Sequence, residues 1–207
     1  GQIIRVPGGY EEALAAAIVH SQTHDEVLLP SYDHPTIIEG NRNLYREAKT
    51  QAGMTFSRIS VPVGGGGCVS AAILETAKEG SEILAAEYEP FERIKKIAIH
   101  SQTGDIESDY PTEPSLEGIA IKTLGVSNRH ILSQCNNLVT TSVSYDELVE
   151  ACRLLNSECG LVAELGACAG VAAALKTPSS DGGPTLCVVT GGNIDRKLHS
   201  KIVCNRQ

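Results

Sequence analysis

Short runs rich in β-branched residues alternate with longer helical patterns along this chain, and this alternation limits the fold more than any other sequence feature. Strands that alternate with helices are typical of parallel sheets, because parallel neighbours need a crossover between them, so the alternation predicts an α/β fold. The predicted strands are residues 3–6, 26–30, 59–63, 83–86 and 186–189, with further ordered segments at 118–121 and 138–141. The predicted helices are residues 10–20, 38–52, 69–78 and 161–175, and one that opens at the S-x-x-E capping box of Ser144 and Glu147 and runs to about residue 155.

A turn-rich stretch at residues 31–35 interrupts this pattern, and the proline that ends it disfavours helical geometry in the residue before it. Residues 3–30 form one predicted strand–helix–strand (βαβ) unit ahead of the interruption. We therefore expect two domains. The first is the remaining part of a small domain at residues 1–36, and the second is a large domain at residues 37–207.

Charge and hydropathy exclude several kinds of partner. The formal net charge is −8 and no basic stripe is visible, whereas nucleic-acid binding draws on clustered Lys and Arg. No apolar run reaches the length of a membrane span, and the first residues lack the pattern of a signal peptide. The seven cysteines are scattered without CxxC spacing, which indicates reduced thiols. We expect a cytoplasmic protein with no nucleic-acid partner and no membrane partner.

A run of four glycines, Gly64, Gly65, Gly66 and Gly67, follows a predicted strand and precedes a predicted helix. A backbone without Cβ atoms can curl there so that several N–H groups and the helix N-terminus point at an anion such as phosphate. The run matches neither the Walker A pattern nor G-x-G-x-x-G. Taken alone, it is equally consistent with a tight turn where helix and strand pack closely.

A second candidate site is the segment T-G-G-N at residues 190–193, where the last predicted strand ends in glycines. Open parallel sheets place ligands at the carboxyl ends of their strands. The hydroxyl of Thr190 could donate to or accept from a heteroaromatic nitrogen there. The alternative is that Thr190 caps the turn that follows the strand.

Taken together, the ordered set of segments resembles the fold-type-II pyridoxal-phosphate enzymes, which include serine and threonine dehydratases and serine racemases. The resemblance covers nearly the whole chain and is weakest between residues 91 and 114. The matching segments are residues 35–44, V-P-V-G-G-G-G at 61–67, E-P at 89–90, G-I-A-I-K at 118–122, G-L-V-A-E-L-G-A at 160–167 and T-G-G-N-I-D at 190–195.

The resemblance implies a three-layer parallel-sheet fold, a pyridoxal 5′-phosphate cofactor and a small amino-acid substrate. By resemblance, the N–H groups of Gly64, Gly65, Gly66 and Gly67 bind the cofactor phosphate. Thr190 would face the pyridine nitrogen, and Glu164 and Gly166 would lie near the cofactor ring. The implied reaction is α,β-elimination or β-replacement on a hydroxy amino acid such as serine or threonine.

Two departures from the family pattern limit what this chain does alone. The S-x-K-x-R-G motif that carries the Schiff-base lysine and the S-S-G-N-H-A substrate loop are both missing from the sequence, so the catalytic residues are unknown. Family members with a divalent-metal site pair the Glu of Glu-Pro with an acid six residues later. Lys95 occupies that position after Glu89, and we expect no metal site.

Two accounts fit these departures. In the first, the chain is the carboxy-terminal part of a split or cleaved lyase, and a second polypeptide or missing segment supplies the lysine and the rest of the small domain. In the second, it is a non-catalytic binding or scaffold subunit related to the family. Relatives are commonly dimers, which by analogy favours a dimer or higher oligomer.

Overall fold

The computed structural model describes residues 2–94, 111–179 and 182–204. The chain divides into two compact units, Gly1–Ser31 and Tyr32–Gln207. The division falls in the turn-rich stretch at which the sequence predicts a boundary. The assignment of the two parts to a small and a large domain stays a prediction.

The first unit contains one helix, α1, at Tyr10–His24. The side chain of Glu12 accepts a hydrogen bond from the N–H of Gly9 at 2.7 Å, which fixes the helix start. The strands predicted at residues 3–6 and 26–30 are wrong, since neither segment is a strand in the structure. A strand exists only through pairing with a neighbour, and the described residues of this unit provide none.

The second unit is built on a parallel sheet of four strands in the order β3-β2-β1-β4. The strands are β1 at Arg58–Pro62, β2 at Glu82–Tyr88, β3 at Leu138–Val143 and β4 at Thr185–Cys187. Each lies at or within a few residues of a segment that the sequence predicts as ordered. The α/β class and the parallel sheet are confirmed.

Six helices accompany the sheet among the described residues of this unit. They are α2 at Pro35–Ala52, α3 at Gly67–Thr76, α4 at Val126–Ser133, α5 at Tyr145–Cys159, α6 at Ala169–Lys176 and α7 at Arg196–Cys204. The predicted capping box opens α5, with Ser144 Oγ accepting from the N–H of Glu147 at 3.3 Å. The helix predicted at 161–175 begins too early, because residues 161–164 are irregular and Leu165–Cys168 form a 3₁₀ turn.

Helices cover both faces of the sheet, and the side chains of β2 show this by alternating between two hydrophobic clusters. Leu84, Ala86 and Tyr88 lie in a cluster with residues of α5, α6 and α7. Ile83 and Ala85 lie in a second cluster with residues of α2, α3 and α4. The result is a three-layer arrangement with a buried parallel sheet in the middle. No helix within the described residues is both long and apolar enough to cross a membrane.

A charge network joins α2 to α3, the helix that follows the glycine run. The carboxylate of Glu75 on α3 contacts Arg42 and Arg46 at 3.0 Å and Lys49 at 3.4 Å, all three on α2. Burial raises the pKa of Glu75, but hydrogen bonds from Arg42 and Lys49 outweigh it, so the pKa lies below its ordinary value. The network holds α3, and with it the glycine run, against α2.

We predict that Glu75→Gln lowers the free energy of unfolding by about 1 kcal/mol at neutral pH, because three cations lose their shared anion. A carboxyl whose folded pKa is depressed stabilises the protein above its unfolded pKa, and that stabilisation is lost as the pH falls through the folded pKa. The difference between the variant and the parent should therefore shrink in acid. Urea unfolding at a series of pH values measures it.

The matched control is Glu47→Gln, which removes an exposed carboxylate from the same helix pair. We expect its effect on the free energy of unfolding to stay within about 0.5 kcal/mol. Equal effects of the two substitutions at neutral pH would contradict a role for the network.

Candidate functional site

The four glycines form the turn between β1 and α3, and close neighbours leave no room for side chains there. A Cβ on Gly64 would lie 2.1 Å from the carbonyl oxygen of Gly118, and one on Gly65 would lie 2.2 Å from the ring of Tyr32. Gly66 is the N-cap of α3 and has a φ of 100°, a left-handed conformation that favours glycine. The run is therefore a closely packed glycine loop, in which Gly65, Gly66 and Gly67 are buried.

The carbonyl oxygens of this loop are bound on one side by surrounding groups. The guanidinium of Arg93 donates to the oxygen of Val63 at 2.6 Å and to that of Gly64 at 2.8 Å. The oxygen of Gly65 accepts from the side-chain amide of Asn128 at 3.1 Å and from the N–H of Gly125, also at 3.1 Å. The oxygen of Gly66 accepts from Ser70 N–H at 3.0 Å, in the first turn of α3.

The N–H groups of residues 64–67 face the other way and donate no hydrogen bond to any described residue. A carbonyl and the N–H of the next residue share one planar peptide unit and point in opposite directions. Holding the carbonyls therefore aims the N–H groups away from Arg93 and Asn128, next to the positive end of the α3 dipole. This arrangement suits an anion with several oxygens, such as a phosphate group.

A second group of the candidate residues meets near Gly118. The side chain of Glu164 lies flat against Gly191, where a Cβ would be 2.2 Å from Glu164 Oε1. The N–H of Glu164 donates to the oxygen of Gly191 at 3.1 Å. A Cβ on Gly118 would be 3.5 Å from the same Oε1, and Gly118 in turn abuts Gly64. Gly118 thus connects the glycine loop to Glu164 and to the segment after β4.

Thr190 is exposed at the carboxyl end of β4, which neighbours β1 in the sheet. Ser60 of β1 pairs with Cys187 of β4 in parallel register. Three residues further along the two segments lie Val63, which precedes the glycine loop, and Thr190. The hydroxyl of Thr190 has no hydrogen-bond partner within the described part of the chain. The candidate phosphate site and Thr190 therefore occupy one edge of the sheet.

Gly166 is buried, and its N–H donates a hydrogen bond to the carbonyl oxygen of Ser115 at 2.9 Å. The hydroxyl of Ser115 accepts from the N–H of Leu165 at 3.1 Å. Ser115 has a φ of 69°, a strained conformation for a residue with a side chain. Gly166 is therefore part of a braced turn beside Glu164, with its amide unavailable to a ligand.

The segment before α2 also packs against the glycine loop, where the Tyr32 ring lies beside Gly65. The carboxylate of Asp33 accepts from the N–H groups of Val126 and Ser127 at 2.8 and 3.0 Å and so caps α4. A Cβ on Gly125 would lie 2.5 Å from the Asp33 carboxyl carbon, so the cap requires glycine at that position. From the sequence, this stretch is predicted only as a turn between two domains.

Sequence reasoning missed several residues that shape the site, above all Arg93, Ser115 and Asn128. None of them lies in a recognisable motif, and their contacts join segments that are distant along the chain. Asp195 is different, because an Asp just before a helix is a recognisable capping residue in a sequence. In the structure its carboxylate accepts hydrogen bonds from two N–H groups of α7, both at 2.9 Å.

The expectation about a metal concerns a position outside the described residues, because Lys95 lies there. Within the described ranges, no group of three or more His, Cys, Asp or Glu residues is placed to hold a metal ion.

Known proteins similar to this chain share both its sequence pattern and its fold. A family model described as pyridoxal-phosphate dependent enzyme matches residues 1–191. The biosynthetic L-threonine dehydratase of Mycobacterium leprae is 26% identical over 94% of this chain and 45% of its own length. L-threo-3-hydroxyaspartate ammonia-lyase from Pseudomonas is 29% identical over 88% of the chain and 57% of its own length.

Among solved structures, the processed form of threonine deaminase isoform 2 from Solanum lycopersicum matches with a TM-score of 0.84. It is 17% identical, and the match covers 98% of this chain and 59% of that one. This likeness shows the shared fold. The chain spans about half the length of the curated relatives that it matches.

These matches place the chain in a class defined by its fold and cofactor. The chain belongs to the family of pyridoxal-phosphate dependent enzymes, and its architecture is that of the fold-type-II branch. Pyridoxal 5′-phosphate is the cofactor of this family, and the curated relatives named above are a dehydratase and an ammonia-lyase. The glycine loop fits the phosphate of that cofactor, because its successive N–H groups donate to no described residue and lie at the N-terminus of α3.

We predict that Gly64→Ala lowers the free energy of unfolding by about 2 kcal/mol or more, because its Cβ meets a backbone oxygen that cannot rotate away. Urea unfolding followed by circular dichroism measures the change. The matched control is Gly40→Ala, since a Cβ there meets nothing within 4 Å and Gly40 lies inside α2. That substitution should stabilise the protein by about 0.5–1 kcal/mol. A Gly64→Ala variant as stable as the parent would contradict the contact with Gly118.

Proposed function

We propose that the chain provides the cofactor-binding part of a lyase that acts on a hydroxy amino acid by α,β-elimination or β-replacement. The observation that carries the proposal is the glycine loop, whose carbonyls are bound by neighbouring groups while its N–H groups donate to no described residue. The curated relatives support the reaction class, because they are named as enzymes that remove water or ammonia from hydroxy amino acids.

Each candidate residue has a proposed task at the carboxyl edge of the sheet. The N–H groups of residues 64–67 bind the cofactor phosphate, and the exposed hydroxyl of Thr190 faces the pyridine nitrogen. A hydroxyl partner leaves that nitrogen largely unprotonated, which favours elimination or replacement at the β-carbon. Glu164 lies beside the same edge, where its N–H donates to Gly191, and Gly166 lies in the turn that follows it, bound to Ser115. The bound cofactor supplies the electron sink that lets a proton leave the α-carbon.

We propose further that the Schiff-base lysine comes from outside these 207 residues, from a second polypeptide or from a further segment of the protein. The first unit supports this proposal, because α1 has no buried residue. Ile3 and Val27, on either side of α1, are 85% and 96% exposed. A cavity of about 940 Å³ between α1 and the flanking extended segments is lined largely by apolar side chains. An apolar surface of this kind is typical of a site that another segment covers.

All seven cysteines are free thiols, which is consistent with a reducing compartment, and we propose a cytoplasmic enzyme that forms a dimer or higher oligomer. The second candidate function is a binding subunit without catalysis. It is favoured by the missing S-x-K-x-R-G motif, since a chain without that lysine has no covalent anchor for the cofactor.

We predict that borohydride reduction of the natively purified protein adds a pyridoxal-phosphate-sized mass to a lysine-bearing polypeptide or segment outside residues 1–207. Intact-mass analysis of every polypeptide in the sample measures this. Pyridoxal without its phosphate is the matched control ligand, and it should bind at least about tenfold more weakly, because the loop contributes charge-assisted hydrogen bonds to phosphate alone.

A mass increment on one of the lysines of this chain would contradict the proposal that the Schiff-base lysine lies outside residues 1–207. If no polypeptide gains mass even with pyridoxal phosphate supplied, the binding subunit becomes the better account.

A further inference from the structure

The side chain of Arg93 is completely buried at the base of the glycine loop, and it contacts oxygen atoms from several parts of the unit. Besides Val63 and Gly64, it donates to the carbonyl oxygen of Ile121 at 2.5 Å and to that of Phe91 at 3.0 Å. Its Nε also lies 3.3 Å from the carboxylate of Glu87, at the end of β2. One cation therefore joins the ends of β1 and β2 to the 118–121 segment.

A shell of backbone carbonyls and one carboxylate is the environment that hard metal cations prefer. A guanidinium satisfies such a shell with its planar set of five N–H donors, and it stays charged in proteins. Glu87 balances the charge and also accepts from the N–H groups of Arg93 and Ile94 at 2.9 and 3.1 Å. Burial raises the pKa of Glu87, and the neighbouring Arg93 opposes that rise.

The contacts of Arg93 determine the direction of two amide groups that face the ligand side. The oxygen of Val63 shares a peptide plane with the N–H of Gly64, and the oxygen of Gly64 shares one with the N–H of Gly65. Because Arg93 holds both oxygens, neither plane can rotate without breaking a charge-assisted hydrogen bond. The peptide planes further along the loop are held by Gly125, Asn128 and Ser70 instead.

We propose that Arg93 is a positioning residue for the phosphate loop and acts as a permanently attached cation in place of a bound metal ion. It fixes the N–H groups of Gly64 and Gly65 toward the phosphate without touching the ligand. Phosphate binding by this loop accordingly requires no added alkali or divalent cation. The inference rests on the proposed function for its ligand, whereas the geometry of the loop can be tested without any ligand.

The test compares Arg93→Met and Arg93→Lys with the parent chain, using Arg58→Met as the matched control. Arg58 is also a buried arginine of this sheet and bonds Glu82 at 2.5 Å, but it lies at the opposite end of β1 from the loop. Hydrogen exchange of the peptide that covers residues 62–69 reports the loop, and titration with inorganic phosphate and with pyridoxal phosphate reports binding.

We expect Arg93→Met to speed exchange of the 62–69 peptide at least about tenfold relative to the rest of the sheet, because two buried carbonyls lose their donors. The hydrogen-bonded amide that reports this is Val63, whose N–H donates to the oxygen of Ala86 at 2.8 Å. Phosphate affinity should fall by a similar factor. Arg93→Lys keeps the charge without the planar fork and should give intermediate values for both quantities. Arg58→Met should leave loop exchange and phosphate affinity within about twofold of the parent.

Loop exchange in Arg93→Lys equal to that of the parent would overturn the inference, and so would a parent chain that binds phosphate only when K⁺, Mg²⁺ or Ca²⁺ is added. Should Arg93→Met fail to fold, Arg93→Lys decides the question by the same readout. If the parent chain binds neither phosphate nor pyridoxal phosphate, the proposed function is wrong. Hydrogen exchange of the loop then still tests the role of Arg93.

Discussion

The peptide units of residues 63–67 can bind an anion only while their carbonyl oxygens are held on the opposite side of the backbone. A planar peptide unit cannot turn its N–H outward and its C=O outward together. The oxygens are held by a buried guanidinium, a side-chain amide, a loop N–H and the first turn of α3. These groups come from segments that are distant along the chain, so the loop takes its shape only when those segments have folded together.

Local sequence patterns were enough to predict the elements that surround this loop. The strand–helix alternation gave the parallel sheet, and the Ser144–Glu147 spacing gave the start of α5, because each depends on residues close together in the chain. The glycine run was visible for the same reason.

The groups that orient the loop could not be predicted in this way. In a sequence, Arg93 looks like any surface charge, because arginine is mostly exposed in proteins and its burial depends on contacts from distant segments. Asp33 caps α4 from 93 residues away, so no capping pattern precedes that helix. The strands predicted at 3–6 and 26–30 failed for a related reason. Alternation in a sequence shows that a segment could be a strand, but pairing depends on a neighbour.

The part of the site around Glu164 depends, as the phosphate loop does, on a position that has no side chain. Glu164 can lie flat along the segment after β4 only because Gly191 has no Cβ, and its carboxylate then lies within van der Waals distance of Gly118. An acid one methylene shorter would leave the carboxylate short of this position. The placement of the charge is therefore encoded in Gly191 as much as in the glutamate, and the neighbouring Gly118 also abuts Gly64 through its carbonyl oxygen. The backbone at Gly118 therefore lies between the phosphate loop and the Glu164 side of the edge, and a shift of that backbone would reach both.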